Sequence, residues 1–390
     1  MLEREFSVSN SPITVTLDDN LERPLVKSAT PLTKVNEYAE LKQLIKKKGL
    51  LEKQPHFYTY KILSTVGLLA LSIAFLLLVN NFWLQLLNAA FLAFVFGQIG
   101  FLGHDGGHRQ IFNKTWKNDI VTLLQGNLLV GMSYSWWNDK HNAHHSHPNE
   151  VDMDPDIALP AISFSEEQAL GKRNLFRFLA KYQAFFFFPL LTLVGIDLQR
   201  VSIAHLLKGR ARHTASEAIF IALHYVFYFG LVFFFSPLNL WQGIIFILVS
   251  QMLFGLYLGS TFAPNHKGMP IMEKGSQVDF LRRQVLTARN VTSNPFNDYM
   301  YGGLNYQIEH HLFPSMPRNN LKQAQQIIRA YCTSHSISYY ETTSLQSFKE
   351  ILSYLHQVGA PLRGKTPSLK RVVEGNAVGI KSLKQSSFTK

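Results

Sequence analysis

The chain has 390 residues, 47% of them hydrophobic and only 16% charged, where a soluble domain carries about 25%. Its 30 phenylalanines and long apolar runs exclude a disordered or low-complexity protein and point to a membrane protein. Lys and Arg outnumber the acids 38 to 26, a formal net charge of +12; with the apolar runs, this favours an anionic lipid surface or acyl-carrier head group over nucleic acid.

In chain order, residues 1–33 read as irregular, with Pro12, Pro24 and Pro31 and no apolar leader. Residues 34–52 read as a basic amphipathic helix whose lysines suit anionic head groups or solvent equally. The run from Ile62 to Leu102 is almost uncharged and long enough for two spans of about twenty residues. We place them at 62–80 and 82–102, broken at Asn80-Asn81. A second pair follows at 218–236 and 239–262, broken at Ser236-Pro237. The expected fold is an all-α integral membrane protein with four transmembrane helices in two hairpins and a histidine-rich cap. Both hairpin tips lack charge, while the other connections are rich in Lys and Arg, so the positive-inside rule puts both termini and the cap in the cytoplasm.

Residues 184–198, "AFFFFPLLTLVGIDL", are apolar but short and contain Pro189 and Asp197. If they crossed, the basic stretch 200–212 would lie outside and the last histidine cluster would face the wrong side. They and residues 120–134 therefore read as interfacial or re-entrant segments. Helices are expected from Pro317 to about Ala330 and over 344–357, with a disordered basic tail from Pro361. The expected division is a cytoplasmic segment 1–60, a membrane domain 61–320, and C-terminal helices and tail 321–390. The single cysteine, Cys332, excludes an intrachain disulfide or a Cys-X-X-Cys centre and reads as a small apolar filler.

The 15 histidines are clustered. His104 and His108 stand in "HDGGH" at the end of span two; His141, His144 and His145 in "HNAHH"; His310 and His311 in "QIEHH", which begins at Gln307. His266, in "FAPNHKG", falls just beyond span four. On a helix, residues three and four apart share a face, so each cluster aims its rings one way. Imidazole suits Fe, Zn, Cu or Ni. One zinc takes three or four ligands; these histidines are too many for one ion and fit a dinuclear site. Gly106 and Gly107 weaken the helix at the first cluster and can let backbones pack closely there. Asp105, Asp152, Asp154, Asp156 and Glu309 are candidates to orient the rings. His56, His147, His205, His213, His335 and His356 read as ordinary residues; His224 is set apart only by lying in a span.

At these residues the sequence resembles the membrane fatty acid desaturase superfamily, marked by three histidine boxes in this order and spacing. The resemblance covers roughly residues 60–320, and Gln307 heading the third box, with "YQIEHHLFPSMPR", is similar to the front-end subgroup. It implies a fatty acyl desaturase that uses two iron ions and O2 to place a cis double bond in the acyl chain of a lipid or acyl-CoA, delta-6 or delta-5 favoured and delta-9 possible. It implies His104, His108, His141, His144, His145, His310 and His311 as iron ligands, His266 as an extra ligand, and a possible direct or water-mediated role for Gln307. The fused cytochrome b5 of many front-end desaturases carries HPGG; no HPGG occurs here, so electrons are expected from a separate ferredoxin or cytochrome b5. Lys267, Arg282, Arg283, Arg289 and Arg318 are candidates to meet the substrate head group, or ordinary positive-inside charges.

Three rivals remain. A hydroxylase or ketolase shares the boxes. A membrane zinc hydrolase would want a carboxylate base as in H-E-x-x-H, which is missing. A transporter would favour polar residues inside the spans, and these read as nearly bare.

Overall fold

The structure is a computed structural model that describes residues 36–209, 211 and 214–364, and the backbone at 372–373. The irregular stretch expected over 1–33 and, apart from the backbone at 372–373, the basic tail beyond 364 lie outside the described residues; the tail expected to be disordered from Pro361 instead opens with a 3-10 turn, Pro361–Arg363.

Helix α1 (Glu37–Lys47) is capped by the Asn36 side chain and carries Glu37 and Glu40 in its first turn and Lys46 and Lys47 in its last, the polarity its dipole favours. Helix α2 (Pro55–Leu78) starts with Pro at its first position, where no N–H is needed. Asn81 ends the short break and caps α3 (Phe82–Gly107) by accepting from Leu84 N. Next come α4 (Thr115–Thr122), which continues as a π-helical segment Leu123–Val130, and α5 (Tyr134–Ser146). Short helices α6 (Glu166–Gly171) and α7 (Asn174–Lys181) lead to α8 (Gln183–Leu191) and α9 (Val194–Leu207), bent by 69° at their junction. Helix α10 (Thr214–Gly230) runs on as a π turn Leu231–Phe235, and α11 (Leu240–His266) opens with a reciprocal Asn239–Gln242 capping box. Beyond lie α12 (Phe280–Leu286), α13 (Pro295–Met300), α14 (Gln307–Leu312), α15 (Leu321–Ser334) and α16 (Ser344–Val358). Two-residue strands tie the region together: Asn290–Val291 pair in parallel with Glu341–Thr342, and Ile271–Met272 with Val372–Val373.

Among the described residues, four helices are long and apolar enough to cross a membrane: Pro55–Leu78, Phe82–Gly107, Thr214–Phe235 and Leu240–His266. They coincide with the four expected spans, but each extends past the apolar run at one end or both. The extension of α11 makes His266 its final residue rather than a residue beyond it. Leu63, Leu71, Phe227 and Leu248 are exposed, as a lipid-facing side requires.

The inward faces hold more polar groups than the sequence suggests. Ser72 Oγ donates to Asn88 Oδ1, and Gln85 Nε2 donates to the carbonyls of Phe75, Leu76 and Val79, fastening α2 to α3. Gln98 Nε2 donates to Tyr257 Oη, joining α3 to α11. The expectation of nearly bare spans therefore needs correction. A window average registers net hydropathy and misses single amides whose hydrogen bonds are satisfied between helices. Gly195 and Gly255 sit back to back, where a Cβ on Gly255 would come 2.6 Å from Gly195 N; this holds α9 tightly against α11.

Two cores hold α3, α11 and α14, three of the histidine-bearing segments, in place. One lies among the spans, with Leu92, Phe96 and Ile99 against Tyr228, Val232, Phe246 and Phe254. The other collects Leu41 and Ile45 of α1, Leu281 and Val285 of α12, Ile308 and Leu312 of α14, and Leu321 and Ile328 of α15.

Candidate metal centre

Four segments deliver imidazoles to one place. Helix α3 stays helical through Gly106 and Gly107, so His104 in its last turn and His108 at its end share a face. The glycines serve packing: a Cβ on Gly107 would come 2.2 Å from the Trp137 ring of α5. Helix α5, capped by Ser133, presents His141, His144 and His145. Helix α11 ends in His266, and α14 carries Gln307, His310 and His311, all buried.

The rings form two groups. The donor atoms of His104, His108, His141 and His310 lie within 4.8 Å of one another, and so do those of His144, His266 and His311. His145 lies between the groups: its Nε2 is 3.0 Å from His141 Nε2, and its ring stacks on His311 at 4.1 Å. His266 Nε2 is 3.3 Å from His144 Nε2 and 3.0 Å from His311 Nε2. Two nitrogens each about 2.1 Å from one cation, at tetrahedral to octahedral angles, stand about 3.0–3.4 Å apart. The Nε2 atoms of His104 and His108, both ring nitrogens of His310 and Nδ1 of His145 are buried without a hydrogen-bond partner among the described residues. Unpaired buried polar atoms cost free energy. A cation at the first group removes that cost, and one at the second accepts the Nε2 lone pairs that otherwise face one another there; the donors present fit borderline metals such as iron or zinc.

Hydrogen bonds fix which ring nitrogen faces inward. His144 Nδ1 lies 3.0 Å from each oxygen of Asp154, which also accepts from the backbone N of Asn149 and Asp156. His266 Nδ1 bonds the Thr287 carbonyl at 2.9 Å, and His311 Nδ1 bonds Gln284 Oε1 at 2.9 Å. His104 Nδ1 is 3.3 Å from Asp105 Oδ1, whose partner oxygen accepts from Arg318 Nε at 2.5 Å. Each acceptor makes Nδ1 the protonated nitrogen and leaves the Nε2 lone pair for the centre. Burial, reinforced by the neighbouring rings, pushes His108, His141, His145, His310 and His311 well below the usual imidazole range, so these rings are neutral.

Gln307 belongs to the second group: its Nε2 is 3.0 Å from His266 Nε2, and its Oε1 accepts from Asn265 Nδ2. Asp156 lies 3.6 Å from His144 Nδ1 and pairs with Lys140. Burial raises its carboxyl, but Lys140, His144 and Lys267 together outweigh that and hold it well below the carboxylate range. The other expected acids sit elsewhere: Asp152 pairs with Lys274 at the surface, and Glu309 accepts from Asn290 and Tyr339. The basic candidates have partners within the protein. Lys267 donates to the Asp156 carbonyl, Arg282 pairs with Glu37 and Asp279, Arg283 with Glu150, and Arg289 with Glu350. Arg318, expected near a head group, is buried on Asp105. Asn265, Gln284 and Thr287 escaped the sequence reading; Asn265 had one available signal, its place beside His266.

The fatty acid desaturase family model matches residues 81–343, which include every one of these histidines. The delta(8)-fatty-acid desaturase of Euglena gracilis is 32% identical over 357 residues, 87% of this chain and 83% of that protein. The acyl-lipid (9-3)-desaturase of Physcomitrium patens is 30% identical over 341 residues, 83% of this chain and 63% of its own length. The delta(6)-fatty-acid desaturase fat-3 of Caenorhabditis elegans is 29% identical over 374 residues, 90% and 81% of the two chains. With the family model matching residues 81–343 and a relative 32% identical over 87% of this chain, the chain belongs to the fatty acid desaturase family of oxidoreductases.

Proposed function

We propose that this protein places a cis double bond in the acyl chain of a lipid or acyl-CoA, as a front-end desaturase of delta-6 or delta-5 type, and that its two histidine groups each hold one iron. One observation carries this: two adjoining groups of buried and half-buried rings whose inward nitrogens lack a partner among the described residues, as at His104, His108 and His310, or face one another, as at His144, His266 and His311. Relatives named as delta(5), delta(6) and delta(8) desaturases support the front-end assignment.

His104, His108, His141 and His310 would hold one ion, and His144, His266 and His311 the other, with His145 between them. Gln307 completes the second set through its amide oxygen. Asn265 Oδ1 is buried and unpartnered. If both amides turn by half a rotation, Gln307 Nε2 donates to Asn265 Oδ1 and Gln307 Oε1 faces the group beside His266. Iron with O2 supplies the oxidising power to break an unactivated methylene C–H bond, which no side-chain acid or base can do. The protein's part is to keep the rings neutral and aimed, and to hold one carbon pair of the acyl chain against the centre, where a small misplacement costs much rate. Electrons come from a separate ferredoxin or cytochrome b5 type carrier, for which the basic connections suit an acidic partner.

The spans are proposed to form two hairpins, with termini and centre facing the cytoplasm. Two observations support this. Ser72 faces Asn88, and Leu76 faces Gln85, as antiparallel neighbours would. His144 and His266 also touch, so the number of crossings between them is even, which makes the bent α8–α9 pair re-entrant.

The test is the lipid profile of a host expressing the protein with its redox partners, beside a His310→Ala, His311→Ala control, with each double bond located by mass spectrometry. A new alkene that vanishes in the control is expected, and its position reports the regiochemistry. A hydroxylated chain in its place would move the assignment to a hydroxylase.

A further inference from the structure

Glu217 is fully buried in the first turn of α10 and belongs to none of the three histidine clusters. An ionisable residue inside a membrane-spanning helix needs a reason to be there. Its carboxylate accepts from Asn127 Nδ2 at 3.2 Å, Ser133 Oγ at 2.6 Å and Ser135 N at 3.2 Å, and the Ser135 hydroxyl donates to its other oxygen. Four donors converge on its two oxygens, so the side chain is held from several directions at once. Three of the four come from the start of α5. Ser133 is the N-cap residue of that helix: its Oγ accepts from Trp136 N, and its own N–H donates to Ser202 Oγ on α9. The carboxylate therefore also faces the positive end of the α5 dipole.

Helix α5 carries three of the centre's histidines. His141 follows Ser135 by six residues, roughly 9 Å along a helix, so a shift at the anchored end reaches the rings undiminished. We propose that Glu217 is a positioning residue for the metal centre: from the third span it fixes the axial position of α5, and through it the placement of His141, His144 and His145 against the rings of α3, α11 and α14. The role rests on the metal-binding function proposed above.

The test uses the full-length protein purified in detergent, loaded with iron or with cobalt(II). Four forms are compared: wild type, Glu217→Gln, Glu217→Asp, and Asn88→Ala, which removes span-to-span hydrogen bonds far from the centre. Glu217→Gln keeps the size but turns an amide N–H₂ toward a donor. It is expected to weaken metal affinity by on the order of tenfold and to change the cobalt visible bands, with Glu217→Asp partly restoring both. Asn88→Ala is expected to lower the melting temperature but keep the metal and the cobalt bands. Glu217→Gln with wild-type affinity and bands overturns the proposal. So does metal loss in Asn88→Ala that scales with its loss of stability. A wild-type protein that binds no metal would instead refute the function proposed above.

Discussion

Asp154 shows how much one carboxylate decides. It accepts from the His144 Nδ1–H and from two backbone N–H groups at once, so nothing it touches is free to turn. In Asp154→Asn, an amide N–H₂ must face one of those donors, and the His144 ring loses its reason to hold Nε2 inward. Metal affinity should fall about 10- to 100-fold, read from iron retained after dialysis against a chelator. Asp152→Asn should retain wild-type iron, because Asp152 lies exposed beside Lys274. Sequence spacing ranks these two aspartates equally; only the backbone path separates them. Gln307 is the complementary case. Its box position made it a suspect, but its amide geometry depends on Asn265, which no spacing rule picks out. Gln307→Leu should remove the ligand proposed for the second group alone and leave the chain with roughly half of the wild-type metal after the same dialysis.

At the scale of elements, α1 was legible as an amphipathic helix, but not what its apolar face meets. Leu41 and Ile45 are fully buried against α12, α14 and α15, and Tyr38 Oη donates to the Leu312 carbonyl, one residue past His311. The helix is thus a brace on the third histidine box, and its exposed lysines are not what docks it. Leu41→Ala should destabilise this packing by about 2–5 kcal/mol, seen as a lower melting temperature and earlier proteolysis near residue 50. The Lys46→Ala, Lys47→Ala double variant should stay within about 0.5 kcal/mol of wild type in the same melt. Periodicity names the buried stripe of a helix; which stripe of another element covers it is a tertiary fact. The same holds for Glu217, which reads in sequence as one acid at a helix start.

At the scale of the whole molecule, the four spans were legible because bilayer thickness sets their length. The grouping of the histidines was legible only as several ligands on one face; their division into two sets depends on how α3, α5, α11 and α14 meet. The bent α8–α9 pair would be a fifth crossing if it spanned. A fifth crossing would put His266 and His311 on the opposite side of the membrane from His144, whose ring lies 4.6 Å and 5.1 Å from theirs. Cysteine labelling in intact cells tests this with a membrane-impermeant maleimide. The native Cys332 should stay silent on either side, since it is fully buried and burial pushes its thiol up to about 12, leaving little reactive thiolate. Asn80→Cys, exposed between α2 and α3, should label from outside, and Lys349→Cys, exposed on α16, only after the membrane is opened. Labelling of both from outside would make α8–α9 a true span. Lys349→Cys labelling alone from outside would reverse the orientation proposed from the basic connections.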